Sequence, residues 1–314
     1  MDARTLSVGA QSQSVPGRGA VRSVLVACDP DKPDVRTLLD ELVPWLRSRV
    51  GHVELESDVR ALVERRSTLS LAASLEGLPD LLLVLGGDGA ILGAVRAFAS
   101  TPVPTLGINF GRVGFLASTP VSHWREALEG VLSGEGVLEP RMRLVARLGD
   151  GASRKGGLEA IALNEVLVAR GTAPGMLTLG LSVGGEWVAD YRADGLILAT
   201  PSGSTAHSLS AGGPILFPSM LGMVVTPICP QGLSYRPIVL HPDSSVEVLV
   251  KESSGDTLLV LDGQAFHPMQ VGEVVRIERH AQAYPLLAWS KLDAYRRLRD
   301  RLGWSETRYR SMDA

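Results

Sequence analysis

The sequence predicts a two-lobed α/β plus β protein: an N-terminal doubly wound parallel sheet, a C-terminal β-sandwich-like lobe, and a final helix that packs back on the first lobe. Three observations predict it. Apolar runs alternate with helix-spaced segments up to about residue 135, the signature of a parallel sheet covered on both faces. Beyond that point short β-rich stretches, most of them separated by Gly, Ser, Asp or Pro, take over. The chain has 314 residues, long for one core and short for three. The expected divisions are a disordered tail over 1–20, an α/β lobe over 21–135, a β-rich lobe over 136–290 and a C-terminal helix and tail over 291–314.

The elements follow in order. Val21 to Cys28 is a short apolar strand, and Val35 to Arg49 has helical spacing at Leu38, Leu39, Leu42 and Leu46. His52 to Leu55 reads as a second strand and Asp58 to Leu75 as a second helix. Leu81 to Leu85 is apolar on both faces, as a central parallel strand must be. Gly89 to Ala99 is a helix and Val103 to Ile108 a strand. In the second half "MRLVARL", "IALNEVLVAR", "MLTLGLSV", "GLILAT", "SSVEVLV", "DTLLVLDG" and "EVVRIER" are strands, and Gly184-Gly185 before Trp187 and Val188 marks a hairpin. Lys291 to Leu302 is a basic amphipathic helix, read as a packing helix with a solvated face rather than a nucleic-acid element.

Bulk composition excludes several classes. A net charge of −3 and 5% aromatic residues give neither the basic field nor the stacking platforms of a nucleic-acid binder. No apolar run is long enough to span a membrane, and the first twenty residues lack the apolar core of a signal peptide. Cys28 and Cys229 form no CxxC and read as buried free thiols in a reducing compartment. The expected location is the cytoplasm, with no membrane or nucleic-acid partner.

The chemistry concentrates in three loops. "LGGDGAI", Leu85 to Ile91, follows an apolar strand and opens a helix, where α/β sheets place their ligands. A Walker A loop needs Gly-Lys-Ser/Thr, and none of the four lysines follows a glycine. A dinucleotide fingerprint would need glycine at Leu92, and neither HExxH nor GxSxG occurs. What remains is Asp88 among backbone amides. It suits magnesium binding, or proton acceptance from a hydroxyl that attacks a phosphate. The same spacing also suits a tight turn in which Asp88 caps the next helix.

"LGINFGRVGFL", Leu106 to Leu116, closes the next strand, so two glycine-rich strand ends share one crevice. In the third loop, Asp194 to Pro214, Ser202, Ser204 and Thr205 crowd a helix start, a fitting anion or ribose site. His207 and Ser210 share a helix face. His207 alone reads more readily as structural than as catalytic, and no nucleophile elbow supports a Ser-His dyad.

Together the blocks resemble the NAD kinase family. The resemblance rests on Gly86–Gly89, Leu106–Leu116, "LNEV" at Leu163–Val166, Asp194–Ile215, "TPICPQGLSYRPIVL" at Thr226–Leu240 and "DGQ" at Asp262–Gln264, in the family's order over residues 22 to 303. "GGDG" alone is shared with lipid kinases and phosphofructokinases. The serine-glycine and "PICP…RPIVL" blocks are far more specific.

The resemblance implies transfer of a phosphoryl group from ATP, or also inorganic polyphosphate, to the 2′-hydroxyl of the adenosine ribose of NAD, giving NADP. It implies Asp88 as the proton acceptor and Gly86, Gly87, Asn109 and Gly111 as the phosphate loops. Gly89, Phe115 (adenine stacking), Asn164, Glu165, Arg192, Asp194, Gln264 and the segment Thr205, Ala206, His207, Ser208, Leu209 and Ser210 would hold the dinucleotide. Magnesium or another divalent metal would come with the donor, with no protein metal ligand assigned. The assembly would be a homodimer or homotetramer.

Four departures stand out: Ala90 for the usual threonine, Ser202 for threonine, His207 for tyrosine, and Gln231-Gly232 after "PICP". They bear on the donor preference and the fine geometry more than on the reaction; Ala90 and His207 keep a silent dinucleotide-binding sensor open, and the shared glycine-aspartate loop keeps a lipid or sugar kinase open.

Overall fold

Strands β1 (Ser23–Cys28), β2 (His52–Glu56), β3 (Leu81–Leu85), β4 (Thr105–Asn109) and β5 (Thr119–Pro120) pair parallel to one another. The computed structural model describes residues 21–57, 78–111, 114–149, 157–172, 175–288 and 294–303. The expected helix over 58–75, the tail over 1–20 and the residues past 303 lie outside the described residues.

Side-chain parity makes this sheet doubly wound. Val24, Val26, Leu81 and Leu83 join α1 (Pro33–Arg47) on one face, together with Trp124 and Leu128 of a later helix. Leu25, Ala27, Leu82 and Val84 meet α2 (Asp88–Ala97) on the other face, through Ile91, Ala94 and Val95. That later helix is α3 (Trp124–Leu132). Strand residues alternate between faces, so a continuous apolar run serves both cores.

Two stretches inside the range expected for the β-rich lobe form strands of this sheet. The sheet order is β2-β1-β3-β4, followed by β19 (Tyr284–Ala288) and then β6 (Val137–Arg141) at the edge. β19 runs parallel to β4, and β6 runs antiparallel to β19. "YPLLA" does not alternate. Its Leu286 and Leu287 serve opposite cores, and the Tyr284 hydroxyl meets Thr105 Oγ1 at 2.8 Å.

The second lobe is a sandwich of two antiparallel sheets. The outer sheet contains β7 (Leu144–Leu148), β8 (Leu158–Ala162), β10 (Leu177–Val183), β11 (Glu186–Ala193), β15 (Val246–Ser253) and β18 (Val274–Arg279), in the order β11-β10-β15-β18-β7-β8. The inner sheet contains β9 (Glu165–Arg170), β12 (Gly195–Ala199), β13 (Met223–Ile228), β14 (Ile238–Leu240), β16 (Thr257–Leu261) and β17 (Ala265–Met269), in the order β14-β13-β12-β9-β16-β17. Leu177, Leu179 and Leu181 pack across to Val166, Val168, Leu196 and Leu198. The expected hairpin joins β10 to β11 through Gly184 and Gly185, at φ 61° and 84°, values that favour glycine.

Arg143, fully buried, ties the lobes together. It donates to Ala99 O at 2.6 Å and Gln282 O at 2.9 Å, with His280 Nδ1 3.1 Å away. The last helix, α5 (Ala294–Leu302), was expected on the first lobe and touches both. Tyr295 packs on Phe217 of the second lobe, and the Arg301 guanidinium lies 5.8 Å from the Phe115 ring of the first. Cys28 is buried as expected, but Cys229 is exposed. It occupies the turn after β13 at φ 46°, before Pro230, where no core can cover it.

Candidate active site

Asp88 is the first residue of α2, at the carboxyl end of β3. Its side chain does not cap its own helix, since Gly87 is the N-cap and supplies no side chain. The carboxylate turns to the loop after β4. Oδ2 accepts the N–H of Phe115 at 3.0 Å, and Oδ1 accepts those of Leu116 and Ala117 at 3.0 and 2.9 Å. Gly114 permits this, because a Cβ there would lie 1.9 Å from Oδ1. Asn109 braces the same loop by accepting the Gly111 N–H on Oδ1 at 2.8 Å. The two glycine-rich strand ends therefore form one unit, with Asp88 half-buried inside it.

A second aspartate repeats the device in the other lobe. Asp262 Oδ2 accepts the Leu163 N–H at 2.8 Å, and Oδ1 accepts those of Asn164 and Glu165 at 2.7 and 3.0 Å. Asp262 sits at φ 50°, a left-handed conformation that Asp tolerates better than most residues. Its structural part is not legible from spacing, because "DGQ" reads as an ordinary turn. The one signal was an Asp-Gly doublet closing an apolar strand.

The third loop locks onto the same arm. The Thr200 N–H donates to Asn164 O, and the Thr200 hydroxyl donates to Leu163 O at 2.6 Å. Gly203 presses on Asn164 so closely that a Cβ would fall 2.0 Å from Asn164 O. Two of the three hydroxyls expected to meet an anion are used inside the loop. Ser204 donates to Pro201 O, and Thr205 donates to Ser202 O. Ser208 is fully buried and bonds Thr226 Oγ1 at 2.9 Å, so its side chain faces the fold. His207 and Ser210 are exposed on the one-turn helix α4 (His207–Ser210), flanked by half-buried Ala206 and Leu209.

The lobes meet at Gln264, whose Nε2 donates to Gly89 O at 3.0 Å. Glu165, 6% exposed, has no hydrogen-bond partner for Oε2 among the described residues. Burial and the nearby Asp262 charge push its carboxyl up to about 8. Among the described residues, no group of three His, Cys, Asp or Glu is placed to hold a metal ion.

Two expected site residues stand apart. Asp194 and Arg192 lie before β12, at the end opposite Thr200 and Glu165, because β9 and β12 run antiparallel with Ala199 against Glu165 and Gly195 against Ala169. Five strand residues separate the two ends by about 16 Å. Asp194 instead pairs with Arg170, Oδ1 to Nε at 3.0 Å.

The sequence models of the ATP-NAD kinase N-terminal and C-terminal domains match residues 24–136 and 163–288. The chain belongs to the NAD kinase family. It is 36% identical over 283 residues to an NAD kinase of Heliobacterium modesticaldum, covering 89% of this chain and 98% of the relative. It is 37% identical over 277 residues to that of Nitrosomonas europaea, covering 87% and 92%. Among solved structures it is similar to yeast NADH kinase complexed with NADH, with TM-score 0.78, 25% identity and coverage of 93% and 90%. It also resembles an NAD kinase from Archaeoglobus fulgidus in complex with ATP, with TM-score 0.67, 26% identity and coverage of 89% and 97%.

The two matched regions carry the two aspartate-braced loops, one in each NAD kinase domain. These likenesses favour a dinucleotide kinase, a phosphotransferase with an alcohol acceptor, over a lipid kinase, a sugar kinase or a silent sensor.

Proposed function

We propose that Asp88 is the base that takes the proton of the NAD 2′-hydroxyl while a phosphoryl group arrives from ATP or polyphosphate. The supporting observation is the uneven loading of its carboxylate. Oδ1 already accepts two N–H donors, whereas Oδ2 accepts one and keeps an acceptor position for a hydroxyl proton. The attacking oxygen forms the new P–O bond. The bridging P–O bond of the donor breaks, ADP or a shortened polyphosphate leaves, and the proton passes to Asp88. Phosphoryl transfer has a loose transition state, so the protein's task is mainly positioning and charge neutralisation.

Asn164 and Glu165 take the ribose hydroxyls in this reading, Phe115 stacks the adenine, and Thr205, His207 and Ser210 grip the dinucleotide. In the same reading a divalent cation comes with the donor, carried on its phosphates. Ala90 brings only a methyl to the loop, 2.8 Å from where a Cβ on Gly86 would stand, which leaves the donor's contacts there to backbone amides. We also propose a homo-oligomer in the cytoplasm. Its support is the place of Arg192 and Asp194, which at the far end of β12 would serve a neighbouring copy's dinucleotide.

The test incubates purified protein with magnesium, NAD and either ATP or polyphosphate, reading NADP with an NADP-specific dehydrogenase. NADP from at least one donor is expected, and none from either donor overturns the reading. NADH in place of NAD reports the preference between cofactor forms.

A further inference from the structure

The turn Asp262–Gly263–Gln264 touches both halves of the site. At one end, the Asp262 carboxylate collects the three amides of Leu163, Asn164 and Glu165, and its own N–H returns to Glu165 O at 3.0 Å. At the other end, Gln264 donates to Gly89 O, in the first turn of the helix that begins with Asp88. Arg96, two turns further along that helix, also bears on Asp262, its charge opposing the rise that burial imposes on the carboxyl.

The turn is stiff. Asp262 and Gly263 are both left-handed, at φ 50° and 64°, and the Gln264 N–H closes on Leu261 O at 2.9 Å. Two consecutive positive φ values and that hydrogen bond tighten the three-residue loop that sets Leu261 of β16 opposite Ala265 of β17. Asp262 and Gln264 are therefore fixed relative to each other by two backbone steps of constrained geometry.

We propose that this turn is a strap that sets the separation between the Asn164–Glu165 arm and the Asp88 loop, with Gln264 as the positioning residue. It rests on the role given to Asp88 above. The arm and the base sit on different lobes, joined by Leu163, which packs with Ile91 of the Asp88 helix in the first lobe's core, and by Gln264, the polar link that reaches the Asp88 turn itself. A neutral amide suits the link, since a lysine would bring a charge beside Asp88 and a shorter side chain would not span the gap. The inference differs from the expected role of Gln264 as a dinucleotide contact, because its donor is directed at the protein's own backbone.

The test compares wild type with Gln264→Met, which keeps the length and removes the donor, and Gln264→Asn, which keeps the amide and shortens it. Both variants are expected to lose roughly 10- to 100-fold in kcat, with the KM for NAD within about twofold of wild type and the Tm unchanged, because misplacement of a reacting group costs rate rather than ground-state affinity. Hydrogen exchange of the 86–92 segment should quicken in both, and that of other segments should not. A raised KM with kcat retained would mark Gln264 as a ligand contact and overturn the strap. A lowered Tm with full kcat would mark a merely structural bond and overturn it as well. If wild type makes no NADP, the activity reading fails separately, and the exchange of residues 86–92 still decides whether Gln264 holds the loop.

Discussion

Glu165 and Asp262 are neighbouring carboxyls with opposite provisions. Asp262 accepts three backbone N–H groups, whereas Glu165 Oε2 meets none among the described residues. Burial raises both. On Asp262 the three donors and Arg96 pull the other way, while on Glu165 the charge of Asp262 adds to the rise. The three N–H bonds favour the charged form of Asp262, whereas burial and that charge favour the neutral form of Glu165.

Glu165 therefore weakens the free protein at neutral and alkaline pH. Its folded value of about 8 exceeds the usual 4.5. Between those limits the unfolded chain ionises while the native state keeps its proton, so stability falls as pH rises through the window and levels off above it. The whole effect corresponds to roughly 5 kcal/mol, at about 1.36 kcal/mol per pKa unit. Glu165→Gln should raise the Tm at pH 8.5 and leave it nearly unchanged at pH 5. Thermal unfolding at the two pH values checks this, and equal differences at both would refute it.

The same group should make NAD affinity depend on pH. Ribose hydroxyls donate to an ionised carboxylate, so binding favours the deprotonated form and releases a proton below about pH 8. The Kd for NAD is expected to fall by up to about tenfold per unit from pH 6.5 towards 8, then to flatten. Calorimetry in buffers of different ionisation enthalpy would register the released proton. Glu165→Gln should bind more weakly, with a flat profile.

The sequence was legible where one residue type answers to one local demand. "LLLVL" announces a central strand because both of its faces are buried, and Gly184-Gly185 announces a hairpin through backbone chirality. "GGDG" shows an aspartate at a strand mouth, but not that its partners are amides 27 to 29 residues away. Tyr284–Ala288 lies inside the range expected for the β-rich lobe yet pairs with β4, because its partner strand lies far back in the chain and nothing local encodes that return. Arg192 and Asp194 were expected to hold the same dinucleotide as Thr205. Five extended residues place them at the opposite end of the strand.

Two glycines separate rate from affinity. A methyl at Gly114 would enter the Asp88 carboxylate at 1.9 Å, and one at Gly203 would enter Asn164 O at 2.0 Å. Neither neighbour is the loose end of a flexible chain, so each must move. Gly114→Ala should chiefly lower kcat, by about 100-fold for a shift near 1 Å. Gly203→Ala should chiefly raise the KM for NAD, because it displaces the Asn164–Glu165 arm. Steady-state kinetics on both variants decide it, and a reversed pattern would exchange the two roles.

Asp88→Asn tests the base and shows why Asp88→Ala would not. Alanine strips the acceptors from three amides at once, so the 114–117 loop and its Phe115 would lose their anchor, and any fall in turnover would be ambiguous. Asparagine keeps one oxygen. Placed at Oδ1, it still accepts from Leu116 and Ala117, while its NH2 then faces the Phe115 N–H, donor against donor. One lost bond with an unsatisfied donor costs about 1–3 kcal/mol, so the variant should fold with a Tm lowered by a few degrees. The atom that changes from acceptor to donor is Oδ2, the one proposed to take the hydroxyl proton. Turnover should drop by roughly a thousandfold or more, with the Kd for NAD changed only severalfold. If Asp88→Asn retains turnover within about tenfold of wild type while folded, the proton goes elsewhere and the three amides are the whole purpose of the carboxylate.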